Sequence, residues 1–381
     1  MHEFYEFFAG GGMVRAGLGH GWKCLFANDF DIKKSKIYDL NWGSGPLKTG
    51  DVGALTTADL PGHSDLVWAS FPCQDLSLAG AGAGLKGERS GTFWPFWKLT
   101  KELIAEGRPP SLIVLENVCG MLTSHDGRDF TAICDALQRA GYSTGAMVID
   151  ASLFVPQSRP RLFIVCARFG TSIPEECIAS DPILPWHTRS LRTAFDRLPG
   201  QAKRNWIWWN PPCPPSRAKS FADLIEDSPT GVEWFTKEET NKLIAKMSDL
   251  NKAKLAAAKQ EKRRVVGGLY RRTRPDETGG KVQRAEIRFD GVSGCLRTPA
   301  GGSSRQVVLV VEGSSVRARL ISSRETARLM GLPDSYMLPG NYNEAYHLTG
   351  DGVVAPVVRH LAEHLFEPIL RAMARRSTAA A

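Results

Sequence analysis

The chain has 381 residues, 43% of them apolar, which is enough for about two or three domains with real cores. No apolar run approaches the ~18 residues of a membrane span, and Met1-His-Glu-Phe-Tyr-Glu6 has no basic segment leading into an apolar one. A cytoplasmic protein without membrane contact is therefore expected. The eight cysteines are scattered without a C-x-x-C pair, so neither a disulfide framework nor a metal site is indicated, and the net charge of +8 favours a polyanionic partner.

Over the first ~170 residues short apolar runs alternate with amphipathic stretches, the pattern of a mostly parallel sheet wound with helices on both faces. Strands are expected at Phe4–Phe8, Lys23–Ala27, Leu66–Ala69, Leu112–Leu115, Gly145–Ile149 and Leu162–Ala167, and helices near 13–20, 31–40, 93–106 and 128–140. The texture changes after about residue 185. Tryptophans cluster at Trp206, Trp208 and Trp209, prolines follow in Asn210-Pro-Pro-Cys-Pro-Pro215, and a polar helix is expected over about 237–264. This second region reads as a smaller irregular module. A turn-rich stretch, Thr298–Ser304, then leads into a strand at Val307–Val311, and helices at Ser323–Met330 and Pro356–Ala374 close the chain.

Three features gather chemistry at strand ends. Phe7-Phe8-Ala9-Gly10-Gly11-Gly12 joins the first strand to the first helix, where glycine lets the backbone approach a ligand. The spacing is not G-x-G-x-x-G, so a dinucleotide is not indicated. Asp29, ending the second strand, is placed to accept hydrogen bonds from a ribose diol, Phe30 to cover an adenine face, and Asp51, before Val52, to receive an adenine amino group. Together these point to an adenosyl ligand without a pyrophosphate. The third feature is Phe71-Pro72-Cys73-Gln74, where a proline-stiffened turn after an apolar strand presents one thiol at the carboxyl edge of the sheet, as a buried turn cysteine or as a nucleophile. Residues 252–274 hold nine basic side chains against one acid, Glu261, and read either as a solvated face or as a polyanion-binding surface.

At this point the sequence resembles the cytosine-C5 DNA methyltransferases over most of its length. Phe8–Gly12 looks like their S-adenosylmethionine loop, Phe71–Gln74 like their catalytic loop and Gly84–Phe93 like the segment after it. Glu116-Asn117-Val118 resembles their acid motif, Gln157-Ser-Arg159-Pro-Arg161 their paired arginines, and Arg324–Asp334 the late motif that supports the recognition domain. The resemblance implies a class I methyltransferase fold, α/β with a mostly parallel doubly wound sheet, over 1–185 plus 345–381. It also implies a target-recognition domain over 186–344. The cofactor would be S-adenosyl-L-methionine, held by Phe8, Ala9, Gly10, Gly12, Asp29, Phe30, Asp51, Val52, Pro72 and Asp351. Cys73 would add to cytosine C6, Glu116 would serve N3, Arg161 would bind O2, and Arg159 would hold the catalytic loop or a phosphate. Gln74, Ser77, Asn117, Val118, Gln157 and Thr298 would contact substrate, with Arg263, Arg264, Arg271 and Arg272 on double-stranded DNA. The glycine-rich 79–91 stretch would close over a flipped base. A monomer is expected, with a cognate restriction endonuclease as an open partner.

There are departures from the pattern. Glu6 stands where aspartate is more usual, Asp29 where glutamate is common, and Gly350-Asp351 where the last motif usually begins Gly-Asn. Alternatives stay open at this stage: an RNA cytosine-C5 methyltransferase, a non-catalytic nucleic-acid-binding protein on the same scaffold, and, from Asn210-Pro-Pro-Cys213, an amino-methyltransferase.

Overall fold

The computed structural model describes residues 1–72, 92–275, 280–297 and 305–380. By packing, the chain divides into a larger unit of Met1–Asp150, Pro160–Pro214 and Val353–Ala381 and a smaller one of Ala151–Arg159 and Pro215–Gly352. The junctions thus fall at Pro214 and Gly352 rather than at 185 and 344. Between those two sets, Trp208–Trp209 pairs with Ile178–Ala179 and the Trp209 indole donates to the Val165 carbonyl, which ties the tryptophan cluster to the larger unit.

In the larger unit the strands are β1 (His2–Phe7), β2 (Trp22–Asp29), β3 (Leu47–Thr49), β4 (Leu66–Ala69), β5 (Leu112–Val118), β6 (Tyr142–Asp150) and β7 (Pro160–Arg168). Among the described residues they form one sheet in the order β3-β2-β1-β4-β5-β7-β6. Pairing is parallel from β3 through β5, and β7 runs antiparallel to both β5 and β6. Central strands such as Leu66–Ala69 are apolar at every position because both faces are covered. Helices α1 (Met13–Leu18), α2 (Ile32–Trp42), α3 (Phe93–Ala105) and α4 (Arg128–Arg139) alternate with the strands. In α4, Phe130, Ile133, Cys134 and Leu137 recur at helical spacing and bury one face in the main core. Two-residue strands β8 (Ile178–Ala179) and β9 (Trp208–Trp209) and helices α5 (Arg189–Asp196) and α6 (Gly200–Arg204) complete the middle of the unit.

The smaller unit is not irregular. Behind helices α7 (Lys237–Ala245) and α8 (Asp249–Gln260) lies an antiparallel sheet of β10 (Val265–Pro275), β11 (Lys281–Arg288), β12 (Val307–Glu312) and β13 (Ser315–Leu320), in the order β11-β10-β12-β13. The single helix expected over 237–264 breaks because Met247 turns into this core with Leu243 and Leu255, and a new helix starts after Ser248. Helix α9 (Ser323–Leu329) begins with a capping box of Ser322 and Glu325. Glu325, fully buried, also accepts the Glu226 amide and lies 2.6 Å from the equally buried Arg319. Losing either partner leaves a bare charge inside, at a cost of about 3–5 kcal/mol. Helix α10 (Tyr342–Asp351) ends this unit, and α11 (Ala355–Leu361) and α12 (Glu367–Ala380) return to the larger one. No helix among the described residues is long and apolar enough to cross a membrane.

Candidate active site

The chemistry collects where β1, β2, β4 and β5 end. After β1 the backbone turns through left-handed conformations at Phe8 (φ 58°), Gly10 (φ 55°) and Gly12 (φ 79°). A Cβ at Gly12 would lie 2.3 Å from the Trp42 indole nitrogen, so glycine is required there, whereas at Gly10 it would meet nothing within 4 Å. The open side of the turn is therefore available to a ligand. Trp42 at the end of α2 donates to the Gly11 carbonyl at 3.0 Å, and the Arg15 guanidinium lies over its ring. No sequence signal singled out Trp42.

Asp29 grips the same turn. Its carboxylate accepts the Gly10 amide at 2.7 Å and the Asp31 amide at 2.8 Å. Burial pushes its pKa up, while Lys34 and these two amides pull it down. Each oxygen keeps a second lone pair, so the acid that shapes the turn can also receive a ribose hydroxyl. The Phe30 ring beside it is 76% exposed, a flat apolar surface without cover. Asn28 ties β2 to the next loop through the Lys48 and Gly50 carbonyls, Val52 is buried, and the Asp51 carboxylate accepts the Gly53 amide. The open turn, the acid and the exposed ring fit S-adenosylmethionine.

At the neighbouring strand ends, buried Asn117 donates to the Phe71 carbonyl at 3.1 Å and so anchors the chain two residues before Cys73. Cys73, Gln74 and Ser77, the 79–91 stretch, and Thr298 with its turn-rich segment lie outside the described residues. Glu116 lies near the end of β5, with Arg161 on antiparallel β7, whose Cα partner is Val118. This register brings the Arg161 Nε to 3.3 Å from a Glu116 carboxylate oxygen, with side chains only 17% and 8% exposed. Val118 is half-buried beside them. The family resemblance named both residues; the pairing follows from β7 running backwards. Cys119 close by is no competing nucleophile, since burial pushes its thiol up to about 11.

Arg159, Gln157 and Asp351, expected at the site, belong to the smaller unit. Arg159 is 2% exposed, and its guanidinium donates to the carbonyls of Leu296 (3.0 Å), Gly350 and Gly352 (2.7 Å each) and to the Cys295 sulfur. That fork holds backbone of the smaller unit, an architectural role for Arg159 among the described residues. Gln157 is buried between the Leu329 carbonyl and the Leu296 amide, a similar tie rather than a substrate contact. Asp351 ends α10 as an exposed residue between the two glycines that Arg159 binds.

The basic run is less bare in the fold than in the sequence. Arg264 pairs with Asp227 at 3.0 Å, Arg263 with Glu261 at 3.3 Å and Arg272 with Glu286 at 3.3 Å, while Arg271 is half-buried on β10. Exposed pairs of this kind are worth about 0–1 kcal/mol, so a phosphate can displace the carboxylates.

A mostly parallel sheet with one strand, β7, reversed, entered through a glycine turn, is the class I methyltransferase fold. Solved structures share it: the Dnmt2 methyltransferase of S. pombe matches with a TM-score of 0.60 at 17% identity, covering 97% of this chain and 99% of that one. The chain is 26% identical over 371 residues to the Type II methyltransferase M.BsuFI of Bacillus subtilis (97% of this chain, 73% of that protein), and 23% identical over 365 residues to M.HhaI of Haemophilus parahaemolyticus (95% and 94%). The sequence model of the C-5 cytosine-specific DNA methylases matches residues 2–367, and the chain belongs to that family.

Proposed function

We propose that this protein transfers a methyl group from S-adenosyl-L-methionine to C5 of a flipped cytosine in double-stranded DNA. The observation that carries the reading is the buried Glu116–Arg161 pair across β5 and β7, with β5 next to β4, the strand that leads into Cys73. Cytosine C5 is a poor carbon nucleophile. Addition of the Cys73 thiolate to C6 makes the ring an enamine, with the electron pair displaced toward N3 and C5. Glu116 supplies the proton that N3 takes up and accepts a hydrogen bond from the exocyclic amine, and Arg161 orients the acid while facing O2. Asn117 fixes the approach of the thiol through the Phe71 carbonyl. The cofactor, held by Phe8–Gly12, Asp29, Phe30, Asp51, Val52 and Pro72, supplies an electrophilic methyl. Loss of the C5 proton to a base then expels Cys73 and restores the ring.

The Type II designation of M.BsuFI and M.HhaI supports a restriction–modification setting with a cognate endonuclease, and the protein acts as a monomer in the cytoplasm. Incubation with labelled cofactor and either duplex DNA or RNA, followed by nucleoside analysis, tests the reading. The expected product is 5-methyl-2′-deoxycytidine. Label in RNA alone, or on an exocyclic nitrogen, overturns it.

Phosphate binding by the smaller unit gives a second expected result. Affinity for duplex DNA should fall with salt at a logarithmic slope of about −0.9 per phosphate neutralised. Replacing Arg263, Arg264, Arg271 and Arg272 with alanine should flatten that slope and weaken cognate and random duplexes together, because phosphate contacts carry no sequence information. Fluorescence anisotropy across a salt series measures both. An unchanged slope would mean that the carboxylates keep these arginines, and a loss confined to cognate DNA would mean that they read bases.

A further inference from the structure

Glu6 lies one residue from the end of β1, two before the turn at Phe8, and none of it reaches solvent. Neither carboxylate oxygen has a hydrogen-bond partner. A bare buried carboxylate is costly, so the group is held as the acid. Its pKa rises to about 8, chiefly through burial and further through Asp29 on β2, against the Arg15 guanidinium on α1. The other ionisable groups on this side are Cys24 on β2 and Tyr38 on α2, hydrogen-bonded to each other at 3.4 Å, and burial pushes both up, so they stay neutral. Arg15 donates to the Tyr38 hydroxyl at 3.2 Å and leans over the Trp42 ring. The one cation of the cluster is thus held by neutral aromatic groups. Glu6 feels the charge of Asp29, the acid that grips the turn, so a second positive charge arriving at the turn acts on Glu6 as well.

The proposed cofactor brings such a charge and its product does not. S-adenosylmethionine carries a sulfonium, and S-adenosylhomocysteine, left after methyl transfer, is the uncharged thioether with otherwise the same shape. We propose that Glu6 determines the preference of the cofactor site for the sulfonium over the thioether product, ionising when the donor binds and reprotonating once the methyl has gone. The inference rests on the cofactor reading above. The proton released on binding passes to solvent, and an equal one returns after transfer, so the cycle balances. The direction with pH follows. Below about 8 the donor must bear the cost of ionising Glu6, so its advantage over the product should grow as pH rises through 8 and then level off.

Calorimetric titration of the DNA-free protein with each ligand at pH 7, in phosphate and in Tris, tests this without turnover. The difference in heat between the buffers counts protons. The wild type is expected to release close to one proton on binding S-adenosylmethionine and none on binding the thioether. In Glu6→Gln the release should vanish and donor affinity fall roughly tenfold, the change that accompanies release of most of a proton at pH 7 from an acid of pKa about 8. Thioether affinity should stay within about twofold. A wild type that binds both ligands with equal proton release, or a glutamine variant that keeps the wild-type affinity ratio, overturns the role of Glu6. A wild type that binds neither overturns the cofactor reading instead. Melting of the ligand-free protein provides a control on ionisation. An acid whose pKa rises from 4.5 to about 8 on folding stabilises the fold below 4.5 and loses that contribution as pH rises to the folded value, so wild-type stability should fall relative to Glu6→Gln up to about pH 8 and then level off.

Discussion

Cys73→Ser is expected to lower methyl transfer on the order of 10⁴-fold or more, the scale of removing a covalent nucleophile, while cofactor and DNA still bind. A hydroxyl is harder and far less acidic than a thiol, so it does not add to C6 at neutral pH. The wild type should also be trapped by duplex DNA containing 5-fluorocytosine, because fluorine at C5 cannot leave as a proton and Cys73 then stays attached. The adduct should migrate as a protein–DNA band in a denaturing gel and map to the peptide containing Cys73. Cys24 and Cys177 are poor alternatives, since burial pushes the first up to about 12 and the second to about 11 and keeps both protonated. An enzyme active on ordinary DNA that forms no adduct would overturn covalent catalysis here.

Much of the larger unit was legible because its signals are local. Leu66–Ala69 is apolar at four successive positions and is a strand over those same residues. Phe130, Ile133, Cys134 and Leu137 announce a helix, and the glycine turn sits where strand periodicity gives way to helical periodicity. What stayed hidden depends on distant parts of the chain. Arg159 also holds the carbonyls of Leu296 and Gly352, 137 and 193 residues further on, and no spacing rule reports such ties. The β10–β11 hairpin was not expected, and Gly267 and Gly268 lie within its first strand. In the fold they make room: a Cβ at Gly267 would strike the Phe289 ring at 2.6 Å, and one at Gly268 would press on Gln306 at 3.0 Å. The acids that pair with Arg264 and Arg272 come from outside the basic run, so charge counting overstated how bare that run is.

Glu116→Gln is expected to slow the chemical step by about 10²–10⁴-fold, the usual contribution of a general acid. Glutamine keeps the shape and a hydrogen-bond donor but has no proton to deliver as the ring accepts the Cys73 electron pair. Arg161 makes the comparison sharp. Its Nε lies 3.3 Å from the acid across the antiparallel β5–β7 pair, and the neutral amide can still accept from it, so the local fold should persist. The loss should therefore appear in single-turnover rates with cofactor and DNA dissociation constants held within a few-fold. Trapping by 5-fluorocytosine should slow by a similar factor, because N3 protonation accompanies the addition rather than the later elimination. If adduct formation kept its wild-type rate while turnover fell, Glu116 would act after C6 addition. If both rates were unchanged, the acid on β5 would have no part in the chemistry.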